Sequence, residues 1–331
     1  MAKSGLTSTE RSILRQLESD ARMPFSRMSK KIHKSQQRIC YAVNSMIKKE
    51  IINSFYALVD YSKLDVGSYR LYFKVSYMGK GRFEELIDYL KKEPHTSWIA
   101  TCGGKYDLIC TFLASNPSQF NKSLRRIMEK FPQQIRDYTV LTTIAIREFG
   151  RKYLYGDMTN FNEKIIGGDR PPEKIDEIDM KILNYMSEDA RISAVKLGEM
   201  LSLTPKTIIK RINNLTKTSI LRGYKPLINI RKADYASNII LIRYHNISSE
   251  LEDKFTNYLK MHPNVVNIIK TLGEWDIEIK VETLNHIEFR KIEMEIREEF
   301  ALIIKHIESI PLYRSYKCNL FPKFLIDNLI N

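Results

Sequence analysis

Two short polar stretches carry the side chains best suited to bind an anionic polymer. The first holds Lys34, Ser35, Gln36, Gln37, Arg38 and Tyr41, and the second holds Thr204, Lys206, Thr207, Lys210 and Arg211. In a helix that enters the major groove of DNA, Arg reads guanine, Gln reads adenine and Lys binds phosphate. Ser35 and Thr204 are candidate caps of such helices. We therefore predict that both stretches contact double-stranded DNA.

Two short turns combine glycine with a carboxylate. They read "GGKYD" at 103–107 and "GEWD" at 273–276, and they contain Gly104 and Asp107 in one case and Gly273 and Asp276 in the other. Glycine and aspartate are also the residues that any tight turn between two strands prefers. From geometry alone, a plain turn is the favoured interpretation.

The chain is a tandem duplication. "ESDAR" at 18–22 and "EDAR" at 188–191 place Asp20 and Asp189 169 residues apart, and many pairs along both halves keep this offset. Examples are Asn44/Asn213, Pro94/Pro263, Gly104/Gly273 and Phe131/Phe300. An ungapped register over this length predicts two copies of a unit that itself contains two domains.

Positive charge is concentrated in one window of each copy. The net charge is +14; residues 1–50 contribute +7 (11 basic against 4 acidic) and residues 201–250 contribute +7 (9 against 2). The rest of the chain is neutral. This distribution predicts two anion-binding segments beside portions with no preference for nucleic acid.

Composition narrows the class of protein further. The four cysteines (Cys40, Cys102, Cys110 and Cys318) have no metal-binding spacing, so we expect free thiols in a reducing cytoplasm and no metal site. No apolar run is long enough for a membrane helix, which indicates no membrane association. Phosphate loops, dinucleotide fingerprints and hydrolase motifs are missing, so we expect no enzyme activity and no cofactor.

The basic segments have the periodicity of three short helices. In the second copy the apolar positions Ile178, Ile182 and Met186 mark helix one, Leu197 and Leu201 helix two, and Ile208, Ile212 and Leu215 helix three. A tight turn before a third helix that carries Lys, Arg and Gln is typical of a helix-turn-helix. The alternative is a three-helix bundle with a solvated basic face.

The second half of each copy predicts the order βαββαβ. In the first copy, alternation at Tyr69, Leu71, Phe73 and Val75 indicates a strand, and Phe83, Ile87 and Leu90 indicate a helix. This order gives a four-stranded antiparallel sheet with helices on one face, the ferredoxin-like arrangement. We thus predict an α+β protein with helix-turn-helix domains at 6–60 and 175–230, ferredoxin-like domains at 66–150 and 235–318, and a linker at 151–174.

The segment "IDEIDMKILNYMSEDARISAVKLGEMLSLTPKTIIKRINNL", followed by a βαββαβ domain with Gly-x-x-Asp, resembles the Lrp/AsnC (feast/famine) transcription regulators. The resemblance covers nearly the whole chain twice, although "HKSQQRIC" in the first copy departs from the family's usual entry to the third helix. It implies a DNA-binding regulator that forms homo-oligomers. It also implies an amino-acid effector near Gly104, Asp107, Gly273 and Asp276.

Two other functions remain open at this stage. Siroheme decarboxylases are similar in their two-domain unit, and some are fusions of two copies. They carry a haem pocket rich in histidine, tyrosine and arginine, and no histidine lies in the two strand-turn-strand segments here. The other is an effector-binding scaffold whose helix-turn-helix domains no longer bind DNA. If both copies pair within one chain, two unlike recognition helices lie side by side.

Overall fold

The computed structural model describes residues 5–76, 80–154, 163–245 and 248–330. The first copy comprises α1 (Ser8–Ser19), α2 (Phe25–Ile32), α3 (Gln36–Lys48), β1 (Ile52–Val59), β2 (Gly67–Val75), α4 (Lys80–Lys92), β3 (Thr96–Cys102), β4 (Leu108–Ala114), α5 (Pro117–Lys130) and β5 (Ile135–Glu148). A short strand, β6 (Lys164–Gly167), follows. The second copy comprises α6 (Glu177–Glu188), α7 (Ala194–Leu201), α8 (Pro205–Lys217), β7 (Leu221–Ile228), β8 (Ala236–Tyr244), α9 (Ser249–Met261), β9 (Val265–Leu272), β10 (Ile277–Thr283), α10 (His286–Glu299), β11 (Ile304–Cys318) and α11 (Phe324–Ile330).

This order confirms the predicted α+β class with two helix-turn-helix domains and two ferredoxin-like domains. Side chains cap the starts of these helices. Thr7 and Glu10 form a reciprocal capping box on α1, and Asp176 accepts a hydrogen bond from the Asp179 backbone N–H at the start of α6. These contacts satisfy backbone donors that would otherwise lack partners.

The two ferredoxin-like sheets close into one ring of strands. Among the described residues, the order is β2-β4-β3-β11-β8-β10-β9-β5, and β5 also pairs with β2. Closure depends on the two long strands: β11 pairs first with β8 and then with β3, and β5 pairs first with β2 and then with β9. The result is an eight-stranded antiparallel barrel to which each copy contributes four strands.

The barrel has separate inner and outer cores. On the outside, α4 and α5 cover the first copy's sheet through residues such as Leu86, Leu90 and Ile127, and α9 and α10 cover the second in the same way. On the inside, both copies meet through a cluster that includes Tyr72 and Trp275. The alternation of apolar residues along each strand therefore serves two cores at once.

A two-stranded ribbon joins the helix-turn-helix domains. β1 pairs antiparallel with β7, and Tyr56 lies opposite Lys225, the residue 169 positions later. Equivalent residues that face each other mark the pseudo-two-fold axis that relates the copies. Ala57 and Val59 of β1 pack into the second helix-turn-helix core, whereas Ile228 of β7 packs into the first. Each helix-turn-helix domain is thus completed by a strand of the other copy.

The repeated Asp-Ala-Arg triplets form a reciprocal contact, the arginine clasp, at the same axis. The Arg22 guanidinium donates to the Ala190 carbonyl oxygen (3.0 Å), and the Arg191 guanidinium donates to the Ala21 carbonyl oxygen (2.5 Å). Asp20 and Asp189 each accept a hydrogen bond from the backbone N–H two residues on. The sequence repeats itself here because each copy holds the other.

The stretch expected to be a linker, 151–174, is folded in the parts that the structure describes. β6 pairs with the end of β5, and Arg151 and Lys152 are buried. The reason is charge pairing: the Arg151 guanidinium contacts Glu18 and Glu282 from opposite copies. Residues 155–162 of the expected linker lie outside the described residues.

Candidate functional site

The predicted DNA-contacting residues of the first copy surround the start of α3. Ser35 caps this helix and accepts a hydrogen bond from the Arg38 backbone N–H (3.3 Å). Ile39, Val43 and Met46 anchor the opposite face in the core. The structure brings the predicted residues together and leaves all of them exposed: Lys34, Ser35, Gln36, Gln37, Arg38 and Tyr41. The aromatic side chain of Tyr41 is 77% exposed.

The second copy presents an equivalent but different face. Thr204 caps α8 through the Thr207 backbone N–H (3.2 Å), and the hydroxyls of the two threonines lie 2.9 Å apart. Lys206 and Lys210 are exposed, whereas Thr207 is half-buried. Thus two lysines of this helix are free to meet an anion, and Thr207 serves mainly to order the helix start.

Arg211 differs from the expectation that it faces a groove. Its guanidinium donates to Asp176 (2.7 Å) and Asp179 (3.0 Å) at the start of α6. These two hydrogen bonds raise the pKa of Arg211. Carboxylates at a helix N-terminus are favoured by the helix dipole, so both partners are held in place. In this structure Arg211 therefore ties α8 to α6 rather than pointing outward.

The carboxylates of the two Gly-x-x-Asp turns are engaged by their own chain. Asp107 accepts hydrogen bonds from the Val75 backbone N–H (2.8 Å) and the Lys74 ammonium (3.3 Å). Asp276 does the same with the Tyr244 backbone N–H (2.8 Å) and Arg243 (3.2 Å). These contacts close each turn onto the neighbouring strand. A ligand at either turn would have to share a carboxylate that already has two partners.

The glycines of these turns have positive φ angles, +80° at Gly104 and +147° at Gly273. They differ in surroundings. A β-carbon added at Gly104 would lie 3.9 Å from its nearest neighbour, the Ser309 carbonyl oxygen. One added at Gly273 would lie only 2.8 Å from Leu141 Cδ2. Gly273 therefore permits close packing of β5 from the other copy, which is a structural requirement.

The two turns face each other across the pseudo-two-fold axis. Lys105 and Glu274 occupy equivalent positions, and their side chains form an ion pair of 2.6 Å. Two identical residues could not pair in this way, so sequence divergence after duplication created the contact. The predicted effector residues thus lie at the junction between the copies.

Sequence reasoning missed a cavity on the same axis, between the barrel and the ribbon, which we call the axial cavity. It has a volume of about 130 Å³, and its wall contains eight pairs of residues 169 positions apart, including Tyr56/Lys225, Arg70/Ile239 and Trp98/Asn267. Only Leu58/Leu227 is an identical pair. Polar residues at strand positions between apolar neighbours, such as Arg70 and Glu278, were the signal that could have revealed it.

Buried ion pairs join the copies around the axial cavity. Arg70 donates to both oxygens of Glu278 (2.9 and 2.7 Å). Glu18 accepts from Arg151 (2.5 Å) and Lys225 (3.0 Å). Burial opposes ionisation of Glu18, but the charges of Lys225 and Arg151 lower its pKa to about 2. These ion pairs fix the copies to each other.

The described residues provide neither a metal site nor a membrane span. Among them, no cluster of three or more His, Cys, Asp or Glu side chains could hold a metal ion. Within the same residues, no helix combines the length and the apolar character that crossing a membrane requires. All four cysteines are unpaired.

The class of protein defined by this geometry is a pair of helix-turn-helix domains mounted on a ferredoxin-like barrel. Residues 175–216 match the AsnC-type helix-turn-helix domain. The chain is 24% identical over 124 residues to the leucine-responsive regulatory protein of Escherichia coli (strain K12), covering 37% of this chain and 76% of that protein. It is 23% identical over 111 residues to the HTH-type transcriptional regulator FL11 of Pyrococcus furiosus, covering 34% and 72%.

Each regulator thus matches about one third of this chain, as expected if it corresponds to a single copy. The chain is accordingly related to the Lrp/AsnC transcription regulators and carries their type of helix-turn-helix domain. The crystal structure of the siroheme decarboxylase NirDL is similar to both copies together, with a TM-score of 0.61 at 13% identity over 97% of this chain and 98% of that one. At this identity the likeness concerns the fold alone.

Proposed function

We propose that this protein is a sequence-specific DNA-binding transcription regulator in which one chain supplies two different recognition helices. The observation that carries this proposal is the pair of exposed polar faces on α3 and α8, joined by one ribbon. A DNA-binding dimer needs two such helices at a fixed separation, about one turn of the double helix apart. The ribbon and the arginine clasp provide a fixed separation within one molecule.

Charge supports the same function. Residues 1–50 and 201–250, which contain α3 and α8, account for the whole positive excess of the chain at +7 each. Arg38, Lys206 and Lys210 are exposed, and none forms an ion pair with another described residue. Cations without carboxylate partners can neutralise phosphates and release counterions, which is the main source of affinity for DNA.

The test is DNA binding by the Arg38→Ala, Lys206→Ala, Lys210→Ala triple variant. We expect a clear loss of affinity, with a salt dependence of log K reduced by about one unit for each phosphate that the variant no longer neutralises. The matched control replaces three exposed cations on the outer helices, Lys122, Arg125 and Lys291, by alanine. It removes the same charge from the barrel domains and should leave the salt slope unchanged.

Equal affinity of the triple variant and the wild type would contradict the proposal. If neither binds any sequence from a random library, the protein is a scaffold whose helix-turn-helix domains do not bind DNA. Arg211→Ala should weaken DNA binding less than Lys206→Ala does, because the Arg211 side chain is already committed to Asp176 and Asp179. Its main effect should be on the stability of the second helix-turn-helix domain.

Modulation by a small effector such as an amino acid is part of this proposal. Two features of the turns support it. The turns carry the Gly-x-x-Asp motif, at Gly104/Asp107 and Gly273/Asp276, and they lie at the junction between the copies. We expect the Asp107→Asn, Asp276→Asn double variant to lose the response of DNA affinity to the effector. An unchanged response would place the effector elsewhere.

An enzyme similar to the siroheme decarboxylases is the second candidate, favoured by the fold shared over both copies. A tetrapyrrole would need a pocket near the upper part of the usual range of about 300–1,000 Å³. The axial cavity is smaller, at about 130 Å³, and no histidine lines it. Titration with siroheme decides between the two functions: a shifted absorption band at stoichiometric ratio would favour the enzyme, and an unchanged spectrum would exclude it.

A further inference from the structure

The axial cavity is large enough for a small organic molecule. Its volume is about 130 Å³. An engineered apolar cavity of about 150 Å³ binds benzene, so this cavity has room for a molecule of a similar number of atoms. Leu58, Ile146 and Ile239 supply apolar wall, and Ser97 and Thr111 supply hydroxyl groups. A mixed wall of this kind suits a ligand with one polar end and a short apolar body.

Most charges in the wall already have partners. Arg70 is paired with Glu278, and Glu18 is paired with both Arg151 and Lys225. Lys280 lies 3.4 Å from Glu282. An anionic ligand would therefore have to compete with a carboxylate for every one of these cations.

Glu148 is the exception. It lines the cavity at the end of β5, and among the described residues its carboxylate accepts one hydrogen bond, from the Asn267 side chain (3.0 Å). It forms no ion pair with any described residue. Burial raises the pKa of Glu148, because the charged form lacks the solvation it would have in water. The second carboxylate oxygen remains available to a donor inside the cavity.

We propose that the axial cavity binds a small molecule with a primary ammonium group, which pairs with Glu148, and a short aliphatic body, which packs on the apolar wall. A charge-assisted hydrogen bond from the ammonium group would give a partner to Glu148, the only charged group without an ion pair among the described residues of the wall. Free amines and amino acids share this chemistry. The test distinguishes them, because an amino acid also carries a carboxylate and a free amine does not.

Divergence between the copies makes the site single. The residue equivalent to Glu148 is Lys317, which donates instead to the backbone oxygens of Lys91 (3.0 Å) and Glu93 (3.1 Å). Two identical chains would place two carboxylates at equivalent positions around one cavity, and their repulsion would disfavour ionisation of both. The fused chain has one carboxylate and can hold one cation on the axis.

The site also lies under the ribbon that connects the recognition helices. Tyr56 of β1 and Lys225 of β7 line the cavity, and β1 and β7 directly follow α3 and α8. A ligand that packs against these residues would bias the ribbon and, with it, the relative position of the two helices. This coupling rests on the proposed function, whereas ligand binding itself does not.

Binding is tested without DNA, by calorimetry and thermal shift on the full chain. The probes are n-butylammonium, the twenty amino acids, and 4-methylpentanoate as a compound with an apolar body but no ammonium group. The variants are Glu148→Gln, which keeps the shape, and Ser315→Ile, which fills the cavity with the residue found at the equivalent position 146. The control is Glu84→Gln, which removes a carboxylate from the exposed face of α4.

We expect at least one ammonium compound to bind the wild type and the Glu84→Gln control equally, and 4-methylpentanoate not to bind. Glu148→Gln should lower the affinity about 10- to 100-fold, as expected for the loss of a charged hydrogen bond. Ser315→Ile should abolish binding. This variant tests whether the ligand binds in the axial cavity even if Glu148→Gln fails to fold. Binding of amino acids but not of butylammonium would identify the amino-acid form.

Three results would overturn the proposal: unchanged affinity in Glu148→Gln, an equal loss of binding in the Glu84→Gln control, or no stabilisation by any ammonium compound at about 10 mM, which is ten times a weak dissociation constant of about 1 mM. The effect of the ligand on DNA affinity is measured in a separate experiment. If ligand binds but DNA affinity does not respond, the site stands and the coupling fails.

Discussion

Glu18 is a single residue that connects three parts of the fold. It lies on α1 and contacts Lys225 of the other copy's strand and Arg151 after β5. It is 3% exposed. Removal of one partner from a buried ion network leaves an unpaired charge, which costs roughly 3–5 kcal/mol. We therefore expect Glu18→Gln to destabilise the protein strongly at neutral pH.

The same residue should control part of the acid stability. Its pKa falls from 4.5 in the unfolded chain to about 2 in the folded protein, because Lys225 and Arg151 outweigh burial. A lowered carboxylate pKa contributes stability that is present above pH 4.5 and lost as the pH falls towards 2. The loss should be on the order of 3 kcal/mol.

Urea denaturation between pH 6 and pH 2.5 measures this effect, with Glu84→Gln on the exposed face of α4 as the control. The wild type and the control should lose stability over this window more steeply than Glu18→Gln. Parallel curves for all three proteins would contradict the assigned role of Glu18.

Gly273 provides a second prediction at the residue scale. Its φ of +147° and the distance of only 2.8 Å that would separate an added β-carbon from Leu141 Cδ2 both oppose a side chain. We expect Gly273→Ala to lower the free energy of unfolding by roughly 1–3 kcal/mol. Gly104→Ala, with the same turn but open surroundings, should cost about 1 kcal/mol. Equal losses in chemical denaturation would show that packing against β5 is unimportant.

Residue types alone predicted the exposed faces of α3 and α8, because apolar periodicity fixes which face of a helix is buried. They did not predict that Arg211 pairs with Asp176 and Asp179, since that contact depends on how α8 lies against α6. The carboxylate of Glu148 was also missed. Glu148 lacks an ion-pair partner because of which strands meet on the axis. The pattern of residues along one strand does not show which strands will meet.

At the scale of elements, the order of helices and strands followed from periodicity, whereas their partners did not. Local alternation identifies β1 and β7 as strands but does not show that they pair with each other across 169 residues. Likewise, βαββαβ predicts two four-stranded sheets but not their closure into one ring. The expected linker was misjudged for the same reason, because β6 is defined by its pairing with β5.

The arginine clasp gives the prediction that belongs to this scale. Arg22→Ala together with Arg191→Ala removes both halves of the arginine clasp and leaves the ribbon in place. Each hydrogen bond to a charged group is worth roughly 1.5–3 kcal/mol, so we expect a measurable loss of stability. Affinity for DNA with two half-sites should fall, and affinity for a single half-site should not.

Arg125→Ala, on an outer helix, serves as the control for the loss of an arginine. Fluorescence anisotropy with one-site and two-site duplexes provides the measurement. An equal loss on both duplexes would mean that the clasp supports the helices individually and does not set their separation.

At the scale of the whole molecule, the two recognition helices are attached to one chain and differ in every predicted contact residue. We expect random-library selection to return two unlike half-sites spaced by about one helical turn of DNA. Exchange of "SQQRICYA" for "TPKTIIKR" in the first copy should make the selected site more symmetric. Selection of a strict palindrome by the wild-type protein would contradict this asymmetry.

Homo-oligomers, which the resemblance to the Lrp/AsnC regulators implies, bear on the same experiment. The barrel already joins both copies within one chain, so further assembly must use other surfaces. The solution mass, measured with and without DNA, shows how many half-sites one complex can occupy.

The closed ring has a kinetic consequence. In a dimer of separate chains, such a ring would form by a collision between two partners, and its refolding rate would rise with protein concentration. Here β5 and β11 each meet a strand of the other copy in the same chain, so ring closure is unimolecular. Refolding should therefore proceed at one rate whatever the dilution, and it should be slow, because strands far apart in sequence must meet before the barrel closes.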